Sequence, residues 1–237
     1  MEKSFVFQFL GMKFEFAGLV GSTLCALVVY FLCKWLAKKV EVRPNKRQNV
    51  LEMILDFTNG IVKGNVEESS MHKQLSLYAF TLFLFVWFMN QLGLFLELKV
   101  GEYTLIKSPT ADPVTTMTLA MMTMLIAFTA GVNKFGFGGY LKNYAGEVIF
   151  LAPLNVIEEL TNFLTLALRL YGNIFAGEVL LTLIGNSLAP SLGITTWILA
   201  APLAIIWQGF SVFIGSIQAY VFVTLSMVYI GKKVVKE

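Results

Sequence analysis

Three stretches of about twenty residues carry no charged side chain, and that spacing constrains the chain more than any other feature. Residues 17–33, 75–96 and 113–132 contain no Asp, Glu, Lys or Arg. A helix needs about 20 predominantly apolar residues to cross the hydrocarbon core of a bilayer. Only helices and closed barrels satisfy every backbone polar group in lipid. Of the 237 residues, 57% are hydrophobic and 14% are charged, against about 25% charged in soluble domains. Most of the surface therefore faces something other than water. The expected fold is all-α: one polytopic membrane helix bundle over 1–237, with about five membrane-embedded helices.

The spans are set at 17–35, 75–96 and 113–132, followed by two long apolar segments at 147–186 and 194–231. Between residues 154 and 186 there is no proline. A helix of that length would be about 50 Å long, against a core about 30 Å thick, so it either breaks or lies strongly tilted. The stretch 185–193, with Asn186, Pro190 and two serines, reads as a turn. Residues 49–66 alternate Val50, Leu51, Ile54, Leu55, Phe57 and Ile61 with Glu52, Asp56 and Asn59, the pattern of a surface amphipathic helix. Residues 133–144, with Lys134, Lys142 and three glycines, read as a loop.

Charge sets the expected orientation. Lys34, Lys38, Lys39, Arg43, Lys46 and Arg47 follow the first span with Glu41 as the one acid among them, which marks the cytoplasmic side. Lys232, Lys233 and Lys236 near the end do the same. The N-terminus is then outside and the C-terminus cytoplasmic. The first residues lack the order of a cleaved leader. A net charge of +3, without a basic stripe, does not suit nucleic acid. Cys25 and Cys33 read as apolar fillers of a membrane helix, and His72 as a solvated loop residue. The chain shows no nucleotide-binding loop, no nucleophile–base pair and no metal-ligand spacing. No cofactor and no catalytic chemistry within the chain are expected.

Four charges fall inside the proline-free stretch 154–186 of the first long apolar segment: Glu158, Glu159, Arg169 and Glu178. One charge at the bilayer centre costs roughly 2.5–3.5 kcal/mol on insertion scales. At 100° per residue, Asn155, Glu158, Asn162, Thr165, Arg169 and Asn173 project within about 40° of Arg169. Glu178 lies about 180° away and roughly 13 Å further along the axis. The last helix carries its own polar stripe at Gln208, Ser211, Gly215 and Gln218. Arginine stays protonated, so it cannot relay protons. It can keep a facing carboxylate ionised and can block direct proton passage. Carboxylates reached by water can take up and release protons. Two readings compete with that of a proton-handling part: a secondary transporter using Arg169 as a substrate or counter-ion site, and a structural scaffold. The first should show internal repeats, and none is evident. The second leaves the polar stripe without a purpose.

The run Leu168-Arg169-Leu170-Tyr171-Gly172-Asn173, continuing to Ala176-Gly177-Glu178, resembles the signature of subunit a of F-type ATP synthases. Pro109-Thr110-Ala111-Asp112 leading into Thr115-Thr116-Met117, and Ile217-Gln218-Ala219-Tyr220-Val221-Phe222, are similar to the same family in the same order. Asn90, after Phe88 and Met89, is similar to a polar position of its earlier span. The resemblance implies a stator subunit beside a rotating c-ring, held with peripheral-stalk b subunits in an energy-transducing bacterial plasma membrane. It implies two long tilted helices against the ring. It implies that Arg169 faces the ring carboxylates between two aqueous half-channels, and that H⁺ (or Na⁺) is carried. Glu178 and Gln218 match polar family positions. Glu158 or Glu159 matches an upstream acid. Ser211 stands where some relatives have histidine.

Overall fold

The computed structural model describes residues 6–9, 12–38, 41, 45–67, 69–95, 98–100, 103–106, 108–145, 152–184 and 194–234. Six helices dominate: α1 (Phe16–Leu36), α2 (Lys46–Asn65), α3 (His72–Phe95), α4 (Pro113–Ala145), α5 (Ala152–Leu183) and α6 (Ile194–Val234). The all-α polytopic class holds. Two short antiparallel hairpins accompany it, β1 (Val6–Phe9) with β2 (Met12–Glu15), and β3 (Leu98–Val100) with β4 (Tyr103–Ile106). Neither hairpin was foreseen, because three- and four-residue strands leave little periodicity to read.

All helices except α2 contain a window long and apolar enough to cross a membrane: Ala17–Leu36, His72–Leu92, Pro113–Tyr140, Pro153–Leu183 and Ala201–Val234. Their outer faces stay apolar where the chain leaves them open. Leu27, Tyr30 and Phe31 of α1 are 52%, 58% and 62% exposed, which suits lipid and not water. Several hydroxyls inside the spans close onto their own helix, as suits a solvent that offers no hydrogen bonds. Thr123 Oγ1 donates to the Leu119 carbonyl at 3.1 Å, and Ser226 Oγ to that of Phe222 at 2.8 Å.

One reading needs correction. The glycine-bearing segment at 133–144 is helical and prolongs α4. Gly136, at φ 70°, is the point where the helix kinks, a conformation that glycine adopts at no steric cost. The helix then resumes because Tyr140 has a place to pack: its ring meets Phe128 edge-on at 5.1 Å between centroids. His72 also departs from expectation. It is half-buried, and its Nε2 lies 2.7 Å from the Val66 carbonyl oxygen, closing the link between α2 and α3. The expected turn at 185–193 lies outside the described residues.

The described residues fall into two compact units. The first comprises Met1–Val29, Phe85–Thr116 and Arg169–Ala219; the second Tyr30–Leu84, Met117–Leu168 and Tyr220–Glu237. In the first, α3 is tied to α6 by polar side chains: Trp87 Nε1 donates to Ser216 Oγ at 3.0 Å, and Asn90 Nδ2 to the Gly215 carbonyl at 2.9 Å. In the second, the C-terminal half of α6 is an apolar spine. Phe222, Val223, Met227 and Ile230 are fully buried at the i+3, i+4 recurrence of a helix that is packed on one side.

Candidate functional site: polar groups along α5 and α6

Helix α5 has a clear inside and outside. Leu166, Ala167, Leu170 and Ile174 are buried to 4% exposure or less. Arg169 is exposed, as is Thr165 one turn before it. Apolar neighbours on the open side include Leu164, Leu168 and Phe175, at 37%, 48% and 42% exposure. Among the described residues no hydrogen bond or ion pair reaches the Arg169 guanidinium. A permanent cation thus stands near the middle of a bilayer-length apolar helix, pointing out of the chain.

The start of α5 is a different environment. Glu158, Glu159, Asn155 and Asn162 line a cavity of about 120 Å³ with Tyr140 of α4 and Tyr229, Lys232 and Lys233 of α6. Lys232 Nζ lies 3.3 Å from Glu158 Oε1, and Lys233 Nζ 3.1 Å from Glu159 Oε2. The two pairs differ in exposure. The side chains of the Lys232 pair are 62% and 57% exposed, those of the Lys233 pair 20% and 32%. Lys233 also lies over the Tyr140 ring, 5.7 Å from its centroid. In the sequence the two lysines mark only the side of the membrane; in the structure they are partners of the acids.

Further along, Asn173, Ile174, Ala176, Gly177 and Leu180 of α5 line a second cavity of about 200 Å³ with Trp207, Phe210, Ser211 and Ile214 of α6. Arg169 falls between the two sets in the sequence of α5. The polar stripes of the two helices meet at Asn173, whose Nδ2 donates to Gln218 Oε1 at 2.8 Å. Trp207 Nε1 donates to the Gly177 carbonyl at 3.2 Å. Glu178 is half-buried and does not line this cavity. Its backbone carbonyl accepts from Thr182 Oγ1 at 2.9 Å.

Four buried polar atoms have no hydrogen-bond partner among the described residues: Asn90 Oδ1, Gln91 Oε1, Ser211 Oγ and Gln218 Nε2. All four belong to the first unit. Asn90 is fully buried, and its amide nitrogen is spent on α6. Gln91, next to it, donates to the Val212 carbonyl at 3.2 Å and to Ser216 Oγ at 3.3 Å. Sequence reading passed over Gln91, Trp87 and Ser216. Adjacency of two amide residues in an apolar span was the signal available. Asp112 is engaged as a helix cap: Oδ1 accepts from the Val114 amide at 3.3 Å and Oδ2 from the Thr115 amide at 3.2 Å, with Pro113 in the first helical position, where its missing N–H costs nothing. Among the described residues no three His, Cys, Asp or Glu side chains gather as a metal site would need.

A family profile described as ATP synthase A chain matches residues 19–231. The chain is 50% identical to ATP synthase subunit a of Pediococcus pentosaceus over 232 residues, covering 98% of this chain and 97% of the relative. It is 46% identical to ATP synthase subunit a of Enterococcus hirae over 238 residues, covering 100% and 99%. With ATP synthase subunit a of Listeria monocytogenes, identity is 40% over 239 residues and the full length of both.

Proposed function

Since the chain belongs to the ATP synthase A chain family, we propose that it is the proton-conducting stator subunit of a rotary F-type ATP synthase and that Arg169 faces the carboxylates of a rotating c-ring. The exposed Arg169, without an ion pair among the described residues, carries this reading. An unpaired guanidinium in hydrocarbon is costly. A carboxylate brought to it by another subunit, ionised by that same positive charge, removes the cost each time one passes.

Protons need water on either side of that barrier. The charged cavity at the start of α5 is the proposed cytoplasmic half-channel, with Glu158, Glu159 and Asn162 on its wall. The proposed outer half-channel runs by Asn173, Ser211, Gln218 and Glu178, with Asn90 deeper in and Asp112 toward its mouth. The four unpartnered polar atoms support a wet interior there, since buried polar groups without protein partners are met by water. Arginine cannot carry a proton between the halves, so protons pass only by riding the ring. The peripheral-stalk b subunits would hold the chain still against that rotation. The bacterial plasma membrane is the proposed location, with the end of α1 and the end of α6 at its cytoplasmic face. Secondary transport with Arg169 as a substrate site has no observation in its favour.

In vesicles reconstituted with the whole complex, Arg169→Ala is expected to abolish ATP synthesis driven by a proton gradient. Arg169→Lys should also lose most of it, because an ammonium is compact, strongly hydrated and easily neutralised when buried. Coupled synthesis at the normal rate in Arg169→Ala would contradict the assignment.

A further inference from the structure

The basic residues that end α1 and begin α2 have no part in the proton path, yet they are held together by a specific device. Gln48, only 6% exposed, accepts from the Glu41 amide at 3.0 Å, donates to the Glu41 carbonyl at 3.1 Å and donates to Glu52 Oε1 at 2.7 Å. Glu41, between the two helices, is thereby pinned to α2. Arg47, next to Gln48, lies against α1, where its guanidinium carbon sits 4.4 Å from the centre of the exposed Trp35 ring. Lys34 lies over Tyr30 at 5.9 Å. Lys34, Lys38, Lys46 and Arg47 are all exposed.

Helix α2 itself has three faces. Thr58, Ile61 and Val62 are buried. Glu52, Asp56, Asn59 and Lys63 fall on one polar stripe at i, i+4, i+7 and i+11. Val50, Met53 and Phe57, at i, i+3 and i+7, are 44%, 65% and 45% exposed, and Lys46 starts that same stripe. A helix with one face in protein, one polar and one apolar but open is built to lie in a membrane interface.

We propose that Lys34, Lys38, Lys46 and Arg47, on the aromatic shelf of Tyr30 and Trp35, bind the headgroup of an anionic phospholipid whose acyl chains run along the open apolar face of α2 and the outer face of α1. Charge complementarity selects the headgroup: clustered Lys and Arg beside a membrane helix attract anionic lipid by about fivefold per charge. Arg47 supplies the planar fork that suits a phosphate. The aromatic rings place the cluster at headgroup depth, where tyrosine and tryptophan concentrate. A helix of another subunit would fit the apolar stripe but would give four clustered cations nothing to meet.

The test uses the whole ATP synthase complex, reconstituted into vesicles of equal parts phosphatidylglycerol and phosphatidylcholine and re-extracted in mild detergent. Retained lipid is measured by mass spectrometry. The wild type is expected to keep phosphatidylglycerol in excess, and to lose the excess in 1 M salt, where exposed charges are screened. Lys34→Gln with Arg47→Gln should cut the excess more than tenfold. Arg47→Lys, which keeps the charge and loses the fork, should fall between, and Lys63→Gln on the polar stripe should change nothing. The salt measurement on wild-type complex stands even if the double variant fails to assemble. Equal retention of the two lipids by the wild type, or an undiminished excess in the double variant, overturns the proposal. So does unchanged lipid with loss of another subunit, which would give the surface to a protein.

Discussion

Lys232 and Lys233 are adjacent in sequence, pair with adjacent acids and differ mainly in how much water reaches them. The Lys232–Glu158 pair is open to solvent, where such pairs contribute about 0–1 kcal/mol. The Lys233–Glu159 pair is partly shielded and rests on Tyr140, so losing one partner leaves the other charge half-buried. Lys232→Met is therefore expected to leave the dissociation temperature of the complex within about a degree or two, and Lys233→Met to lower it several times more. Equal effects would show that the shielding is immaterial. At this scale the sequence was informative wherever one residue sufficed. A permanent charge among Leu168, Leu170 and Ile174 is conspicuous without coordinates. The phase that links Asn155, Glu158, Asn162 and Asn173 follows from 3.6 residues per turn. Contacts across long separations were not legible: nothing in residues 232 and 233 says that they meet 158 and 159. Nor does Asn90 alone say that Gln91 beside it also reaches α6.

Helix α4 shows why glycine counts misled at the next scale. Isolated glycines weaken a helix by about 1 kcal/mol each relative to alanine, and packing of Tyr140 against Phe128 outweighs that. A glycine's neighbourhood decides its meaning. At Gly231 near the end of α6, a β-carbon would run into the backbone carbonyl of Asn65 at the end of α2, whereas at Gly64 it would meet open space. Gly231→Ala should destabilise the packing of α2 on α6 by about 1–3 kcal/mol, as overpacking does, while Gly64→Ala should be neutral or slightly stabilising. Thermal dissociation of the complex distinguishes them, and two indistinguishable curves would count against this packing. The long helices α5 and α6, of 32 and 41 residues, were expected from unbroken apolar sequence. At 1.5 Å per residue they reach about 48 and 62 Å, which in a core about 30 Å thick is the physical ground for the proposed tilt.

For the whole molecule, hydropathy and charge carried the class of fold, because a bilayer admits so few solutions. Orientation rests on the clustered lysines and arginines. Single cysteines at Lys46 and at Glu102, in a chain lacking Cys25 and Cys33, are expected to be labelled from opposite faces of the membrane; labelling from one face refutes that orientation. What the sequence of one subunit could not contain is the surface of its partner. The proposed function turns on that surface: in it, the face bearing Arg169 meets the moving carboxylates of the ring. Thr165 shares that face and is exposed, while Leu166 beside it is 1% exposed. Disulfide cross-linking in membranes, with one cysteine at Thr165 or Leu166 and another beside the ring carboxylate, tests it directly. A cross-linked product is expected from Thr165→Cys and none from Leu166→Cys. A product from Leu166→Cys alone, or from neither, would contradict it.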